Sequence, residues 1–443
     1  MTAPGPTPSP SAAPPGGADI VRHGWFDALF TVVAGLVAMA VVAALGLWAA
    51  GAPALPDAAY PRVVAATMVT AVGGALRMRG DAGGLATTDA GLSVVPLSVT
   101  LAGALVIATG FLRPLRHRAV VDPAGLAGWT LRIAVLWVPA LLGLAFAARQ
   151  MFRITLGEGA ARRLTELFGI SPEVGFTTDV PRTVLFGLLW LAGVLLPALL
   201  VTRRAPLTGA ALRLHASVRP VAYAMVGLAL VVVAVGVVIG LVVAASRGHT
   251  ADTFAVLLLG LPNLVWLVFT LGLGVTWHGR VDGPFGLPMP RLLDQVLRGP
   301  DVSTLNLRTL AEYDGRVWWL VVVDAVLLLG AAAVLAARSP ARTPLWRLGL
   351  RMAAGLVLTV LAMCLLCRIS AHYGLSVLGI GGLGDDLAGD LFLRPGWWPA
   401  LGLAALWGLV AGCAGGLLVA GVRRAGGLGG IPPTPDAPPR ASP

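Results

Sequence analysis

The chain has 443 residues, 32 of them basic and 21 acidic, for a net charge of +11, and its mean hydropathy is +0.84. With 57% hydrophobic and 12% charged residues, it is neither an ordinary water-soluble globule nor a disordered polyelectrolyte. Every basic residue is arginine, and most stand beside apolar runs, so the positive charge points to membrane orientation and lipid headgroups and away from nucleic acid.

Residues 1–21, rich in Pro, Ala and Gly, read as a disordered tail. The first apolar run, 28–50, exceeds the 7–15 residues of a signal-peptide core and reads as an anchor. Runs of spanning length follow at 92–112, 128–148, 183–202, 221–245, 253–277, 317–337, 352–371 and 399–421, with a weaker one at 61–76. A span needs about 20 mostly apolar residues, and lipid leaves backbone groups no partner but each other, so these runs predict helices. Residues 22–424 therefore predict a single all-α, polytopic integral membrane helical bundle, and 425–443 a second disordered tail.

Orientation comes from the arginines. Arg113, Arg116 and Arg118 form one group; Arg203, Arg204, Arg213 and Arg219 a second; Arg338, Arg342, Arg347 and Arg351 a third; Arg423 and Arg424 a fourth. The positive-inside rule places all four in the cytoplasm. The chain must then cross an even number of times between Arg219 and Arg338, where three apolar runs lie. The run at 253–277, interrupted by Pro262-Asn263, is the one expected not to cross, and the short 61–76 is its counterpart. The result is eight full spans plus two broken or re-entrant segments, with both termini in the cytoplasm; the alternative is nine to ten full spans. The two partial segments lead into similar Gly-rich loops, at 77–91 and 279–286, which fits two related halves, about 22–220 and 221–424, as well as it fits chance. In the outer loops, 160–168, 291–298 and 305–313 read as short interfacial helices.

Asp324 is the one carboxylate well inside a span. A charge there costs about 2.5–3.5 kcal/mol by insertion scales, so it needs a partner within the bundle. Arg132, Arg368 and His372 are candidate partners, and Asn263 adds an intramembrane amide. The functional reading of this set is a proton- or cation-coupled site; the plain one is a structural hydrogen bond. Ala404, Gly408, Gly412, Gly416 and Ala420 repeat every four residues along the last span. Such a stripe lets another helix approach closely, within the bundle or between copies in a homo-oligomer. Cys364, Cys367 and Cys413 read as packing residues, and no His, Asp or further Cys completes a ligand set with them, so no metal or cofactor is expected. Gly379–Gly384 matches the dinucleotide fingerprint formally, but no βαβ unit surrounds it, and it leads to Asp385, Asp386 and Asp390 as an acidic outer loop. Trp25, Trp129, Trp277, Trp318-Trp319 and Trp397-Trp398 mark span ends, as interfacial indoles do.

The stretch Gly374–Gly384, the segment Tyr313–Leu320 leading into a span, and Gly286–Pro290 resemble the streptophobe family, very hydrophobic multipass proteins of actinomycetes. That resemblance implies a high-GC Gram-positive source and carries over no catalytic residue, since the family has no established activity.

No nucleophile elbow, zinc spacing or paired-carboxylate motif appears. The expected function is a plasma-membrane protein with a non-enzymatic structural, assembly or envelope-associated role, with the lipid bilayer as its partner. The alternatives are a secondary transporter or channel using Asp324, or a lipid-modifying enzyme drawing on loop carboxylates such as Asp179, Asp282 or Asp314.

Overall fold

The computed structural model describes residues 17–54, 59–81, 86–117, 123–153, 173–202, 209–247, 250–281, 303–340, 343–377 and 389–427. They contain α1 (Gly17–Ala49), α2 (Tyr60–Ala71), α3 (Leu97–His117), α4 (Pro123–Ala147), α5 (Val180–Val201), α6 (Gly209–Arg247), α7 (Thr250–Gly272), α8 (Leu307–Tyr313), α9 (Trp319–Arg338), α10 (Leu345–Leu366) and α11 (Trp397–Gly427). Nine of these helices are long and apolar enough to cross a membrane, which makes the chain a multipass helical bundle, as the apolar runs predict. The first begins at Gly17 and the last runs to Gly427, inside the segments read as tails; the rest of both tails, and the amphipathic stretches 160–168 and 291–298, lie outside the described residues.

A sheet is not among the elements the apolar runs predict. Eight strands, β1 (Leu76–Asp81), β2 (Ala86–Ser93), β3 (Gln150–Arg153), β4 (Glu173–Thr178), β5 (Trp277–Val281), β6 (Ser303–Leu305), β7 (Ile369–Val377) and β8 (Gly389–Pro395), pair in the order β3-β4-β1-β2-β7-β8-β5-β6. Every neighbouring pair is antiparallel. The strands come from the four links α2–α3, α4–α5, α7–α8 and α10–α11, so all these helix ends lie at one face of the bundle. The opposite face, which carries the α3–α4, α5–α6 and α9–α10 turns, is called the far face below.

This layout decides which helices cross. Gly35 of α1 packs on Ile107, and Gly110 of α3 packs on Thr31, so the two helices are antiparallel, and α1 runs from the far face to the sheet. Helix α2 has 12 residues, about 18 Å at 1.5 Å per residue, too short to span. Both its ends stay beside the sheet: Tyr60 donates to the Ala44 carbonyl at the end of α1 (2.6 Å), and Thr100, at the start of α3, donates to the Ala71 carbonyl (2.6 Å). Helix α7, with 23 residues, is long enough at about 34 Å, and it is continuous through Pro262 rather than broken there. Yet it does not traverse the bundle. Its Leu257 carbonyl accepts from Ser98 Oγ (2.8 Å) at the sheet-side end of α3, and Gly272 leads within five residues into β5. Eight of the nine long helices therefore run face to face, and α7 lies obliquely across the sheet end. Described residues of all four arginine groups fall at the far face: Arg113, Arg219, Arg338 and Arg423 sit where α3, α6, α9 and α11 meet it.

Apart from one short 3-10 turn in each half, the element order helix–helix–strand–strand–helix–helix–strand–strand–helix occurs twice, with α8 added in the second half. The pairing register repeats with it. Leu76 of β1 faces Leu92 and Thr178; Trp277 of β5 faces Leu305 and Pro395. Gln150 faces Phe176 as Ile369 faces Leu393. Helices α2 and α7 close with the same turn, in which Gly73 (φ 89°) and Gly274 (φ 91°) take the left-handed conformation that costs a glycine nothing. The next amides, Gly74 and Val275, donate back to Val69 (2.9 Å) and Thr270 (3.0 Å). Each half has its own core. Ile107, Ile133, Trp137 and Leu141 centre the first, and Leu271, Leu305, Leu328 and Leu356 the second. Leu97 of the first half belongs to the second core, and Leu259 of α7 packs on the first.

Candidate functional site

Asp324 lies one turn into α9 and is 4% exposed. It faces the last residue of α7: a Cβ on Gly272 would run into Asp324 Oδ2. The glycine lets the two helices close, and the carboxylate ends against backbone with Oδ2 lacking a hydrogen-bond partner among the described residues. The first half has a matching arrangement, in which buried Thr100, one turn into α3, meets the last residue of α2 through its hydroxyl. The position is thus a polar contact at a helix end in both halves, satisfied in one and unsatisfied in the other.

The polar residues read with Asp324 lie elsewhere. Asn263 is on α7, more than two turns before Gly272, where its side chain clamps the start of α3: Nδ2 donates to the Val95 carbonyl (2.9 Å), and Oδ1 accepts from the Leu97 amide (3.1 Å). Arg132 is on α4 near the far face, its guanidinium over Trp25 (5.8 Å) and against Gly24. Arg368 stacks over Trp397 (5.8 Å) beyond the end of α10, and His372 lies on β7, where its ring covers Gly91. The structure does not gather Asp324, Arg132 and Asn263 into one centre. What Asn263 does is bind the second half to the first, and its signal in the sequence was an amide beside a proline in an otherwise apolar run.

The stripe along α11 has its partner inside the chain. A Cβ on Gly408 would meet the Ala353 backbone, one on Gly412 the backbone of Gly349 and Leu348, and one on Gly416 the side chains of Leu345 and Leu348, all on α10. Ala404 is fully buried, and Ala420 is half-buried at the far end of the row. Gly349 and Ala353, the small residues opposite, are themselves four apart, a matching signal in the sequence. Cys364 and Cys367 are buried among these helices, with the Cys367 thiol on the Asn263 carbonyl (3.6 Å), and Cys413 approaches the Leu345 carbonyl (3.8 Å). Trp277 is not an interfacial residue: it is fully buried, and its indole donates to Thr270 Oγ1 (3.1 Å).

The loop carboxylates within the described residues serve as caps. Asp179 accepts from the Arg182 amide at the start of α5 and draws in the guanidiniums of Arg77 (3.6 Å) and Arg182 (3.5 Å). Asp314 accepts from the Arg316 amide (2.9 Å). Asp282, the Gly379–Gly384 stretch, Asp385 and Asp386 lie outside the described residues, as does Gly286–Pro290. Among the described residues no three His, Cys, Asp or Glu side chains gather as metal ligands.

Two cavities open at the far face, in corresponding places. One, about 410 Å³, lies between α1 and α3 and is lined by Asp27, Phe30, Thr31, Val106 and Arg113 among others. The other, about 240 Å³, lies between α6 and α9 and is lined by Arg219, Pro220, Tyr223 and Arg338. Neither includes Asp324. No protein-family model, curated protein or solved structure matches this chain.

Proposed function

We propose that this protein is a non-enzymatic structural or assembly component of the plasma membrane: a fixed helical platform that carries a sheet on the outer side. The observation that carries the reading is the seam between the halves. Strands β2 and β7 pair over eight residues, from Ala86 opposite Val377 to Ser93 opposite Ser370, and Asn263 adds two hydrogen bonds across the same boundary. Transporters built from two like halves work by rocking one half against the other. Here such a motion would break a continuous ladder, each bond of which resists at about 1 kcal/mol.

The four arginine groups gathered where α3, α6, α9 and α11 reach the far face support a cytoplasmic far face, with both termini inside and the sheet outside. The repeated register supports an origin by duplication, with halves related in parallel rather than inverted fashion. A secondary transporter is the second reading, and it rests on the like halves together with the buried, unpartnered Oδ2 of Asp324. Proteoliposomes loaded with a pH-sensitive dye separate the two. The structural reading expects an imposed gradient to decay at the lipid-only rate for the wild type and for Asp324→Asn. A wild-type flux that Asp324→Asn abolishes would sink the structural reading in favour of the transporter.

A further inference from the structure

We propose that the far-face pocket between α6 and α9 is a phosphate-binding site filled by the headgroup of an anionic phospholipid, with Arg219 and Arg338 as its anion-binding residues. The guanidinium of Arg338 lies over the Tyr223 ring, its carbon 3.5 Å from the centroid. A cation over an aromatic face is held from that side, and with no hydrogen-bond partner for Arg338 among the described residues its N–H groups are available for the two-point contact that guanidinium makes with phosphate. Arg219 lines the same pocket from one turn earlier on α6, with no carboxylate in ion-pair range among the described residues. The neighbourhood supplies no competing acid: the chain holds no Asp or Glu from 180 to 251 or from 325 to 384, which covers α5, α6, most of α9 and all of α10. The carbonyl ends of α9 that could have attracted the cations are already served, since Arg423 donates to Ala336 (3.5 Å) and Ala337 (3.2 Å). The corresponding pocket between α1 and α3 gives the contrast, for there Asp27 shares the cavity with Arg113.

Depth and shape point to a lipid. Basic pockets between membrane helices suit anionic headgroups, and Tyr223 is an aromatic of the kind found at headgroup level. Inward from the pocket, four-residue steps lead along α6 through Gly227, where a side chain would meet nothing within 4 Å, to exposed Val231. On α9 they lead through exposed Val334 to Gly330, equally open. These are places for an acyl chain beside a bound headgroup. Free phosphate presents the same oxygens without the chain.

The test uses the full-length protein, delipidated in detergent and titrated with phosphatidylglycerol, with phosphatidylcholine or with inorganic phosphate, and read by native mass spectrometry and thermal stability. The wild type should retain phosphatidylglycerol in preference to phosphatidylcholine, and Arg219→Gln should weaken that retention by about fivefold. Arg219 has no hydrogen bond or ion pair among the described residues, so this variant should keep a melting point near that of the wild type without lipid. Arg338→Lys, which retains charge but loses the planar fork, should also weaken binding. Equal retention of the two lipids, or unchanged phosphatidylglycerol binding in Arg219→Gln, overturns the site. Millimolar phosphate that displaces the lipid and stabilises the protein as strongly overturns the headgroup and assigns the free anion.

Discussion

Replacing Gly408 by alanine places one methyl group between α11 and α10. An ideal Cβ there lies 2.5 Å from Ala353 Cα, 2.8 Å from Ala353 N and 3.0 Å from Met352 O. Carbon atoms in good contact sit about 3.5–4.0 Å apart, so the helices must separate locally by about 1 Å. The obstacles are backbone atoms, which cannot turn aside as a side chain would. Overpacking of this kind costs about 1–3 kcal/mol, and the blocked geometry places Gly408 at the upper end. Alanine returns up to about 1 kcal/mol through its better helix propensity, so the expected net loss is about 2 kcal/mol. The control is Gly402→Ala on the same helix, where the new methyl meets nothing within 4 Å and only the propensity gain applies. Unfolding of both variants and the wild type in mixed micelles with rising dodecyl sulfate, followed by helical circular dichroism, should separate the two substitutions by about 3 kcal/mol. If Gly408→Ala proves as stable as Gly402→Ala, the stripe does not pack on α10, and the reasoning fails.

Two further predictions bear on the joint between the halves. Asn263→Ala leaves the Val95 carbonyl and the Leu97 amide without their partner, and it should lower stability by about 2 kcal/mol in the same unfolding assay; no loss would mean that the clamp is not formed. Ser93 and Ser370 are exposed and directly paired across β2 and β7, so Ser93→Cys with Ser370→Cys should oxidise to an intramolecular disulfide, detected by thiol blocking and mass spectrometry. A register shifted by one residue would turn the two side chains to opposite faces of the sheet and leave both thiols free.

The bundle was legible because lipid admits few solutions: long apolar runs must be helices. The positions of the four arginine groups singled out the run at 253–277 as the one between Arg219 and Arg338 expected not to cross, and both ends of α7 do lie beside sheet-side residues. The cause inferred for it was wrong in detail. Pro262 lacks an amide hydrogen but sits inside an unbroken helix, and what keeps α7 at one face is the attachment of both its ends to sheet-side residues. The sheet was illegible for a different reason. Strands such as Leu76–Asp81 and Ala86–Ser93 are short, glycine-bearing and mixed in polarity; Leu76-Arg77-Met78-Arg79 alternates for only four residues and Ala86–Ser93 does not alternate at all. Their pairing brings together segments from four separate links, information that no local window contains. The stripe on α11 announced close helix packing, but its partner depended on Gly349 and Ala353 being presented at matching height. The arginine pair was visible only as charge, because Arg219 and Arg338 become neighbours through the packing of α6 on α9.

The seam between β2 and β7 also sets the timing of biogenesis. Strand β2 leaves the ribosome about 280 residues before its partner β7. At 5–20 residues per second, the delay is on the order of tens of seconds. Through that interval the growing bundle carries one sheet edge unpaired, a template for any passing strand. A nascent chain of this design depends on its own later half arriving before another molecule's does.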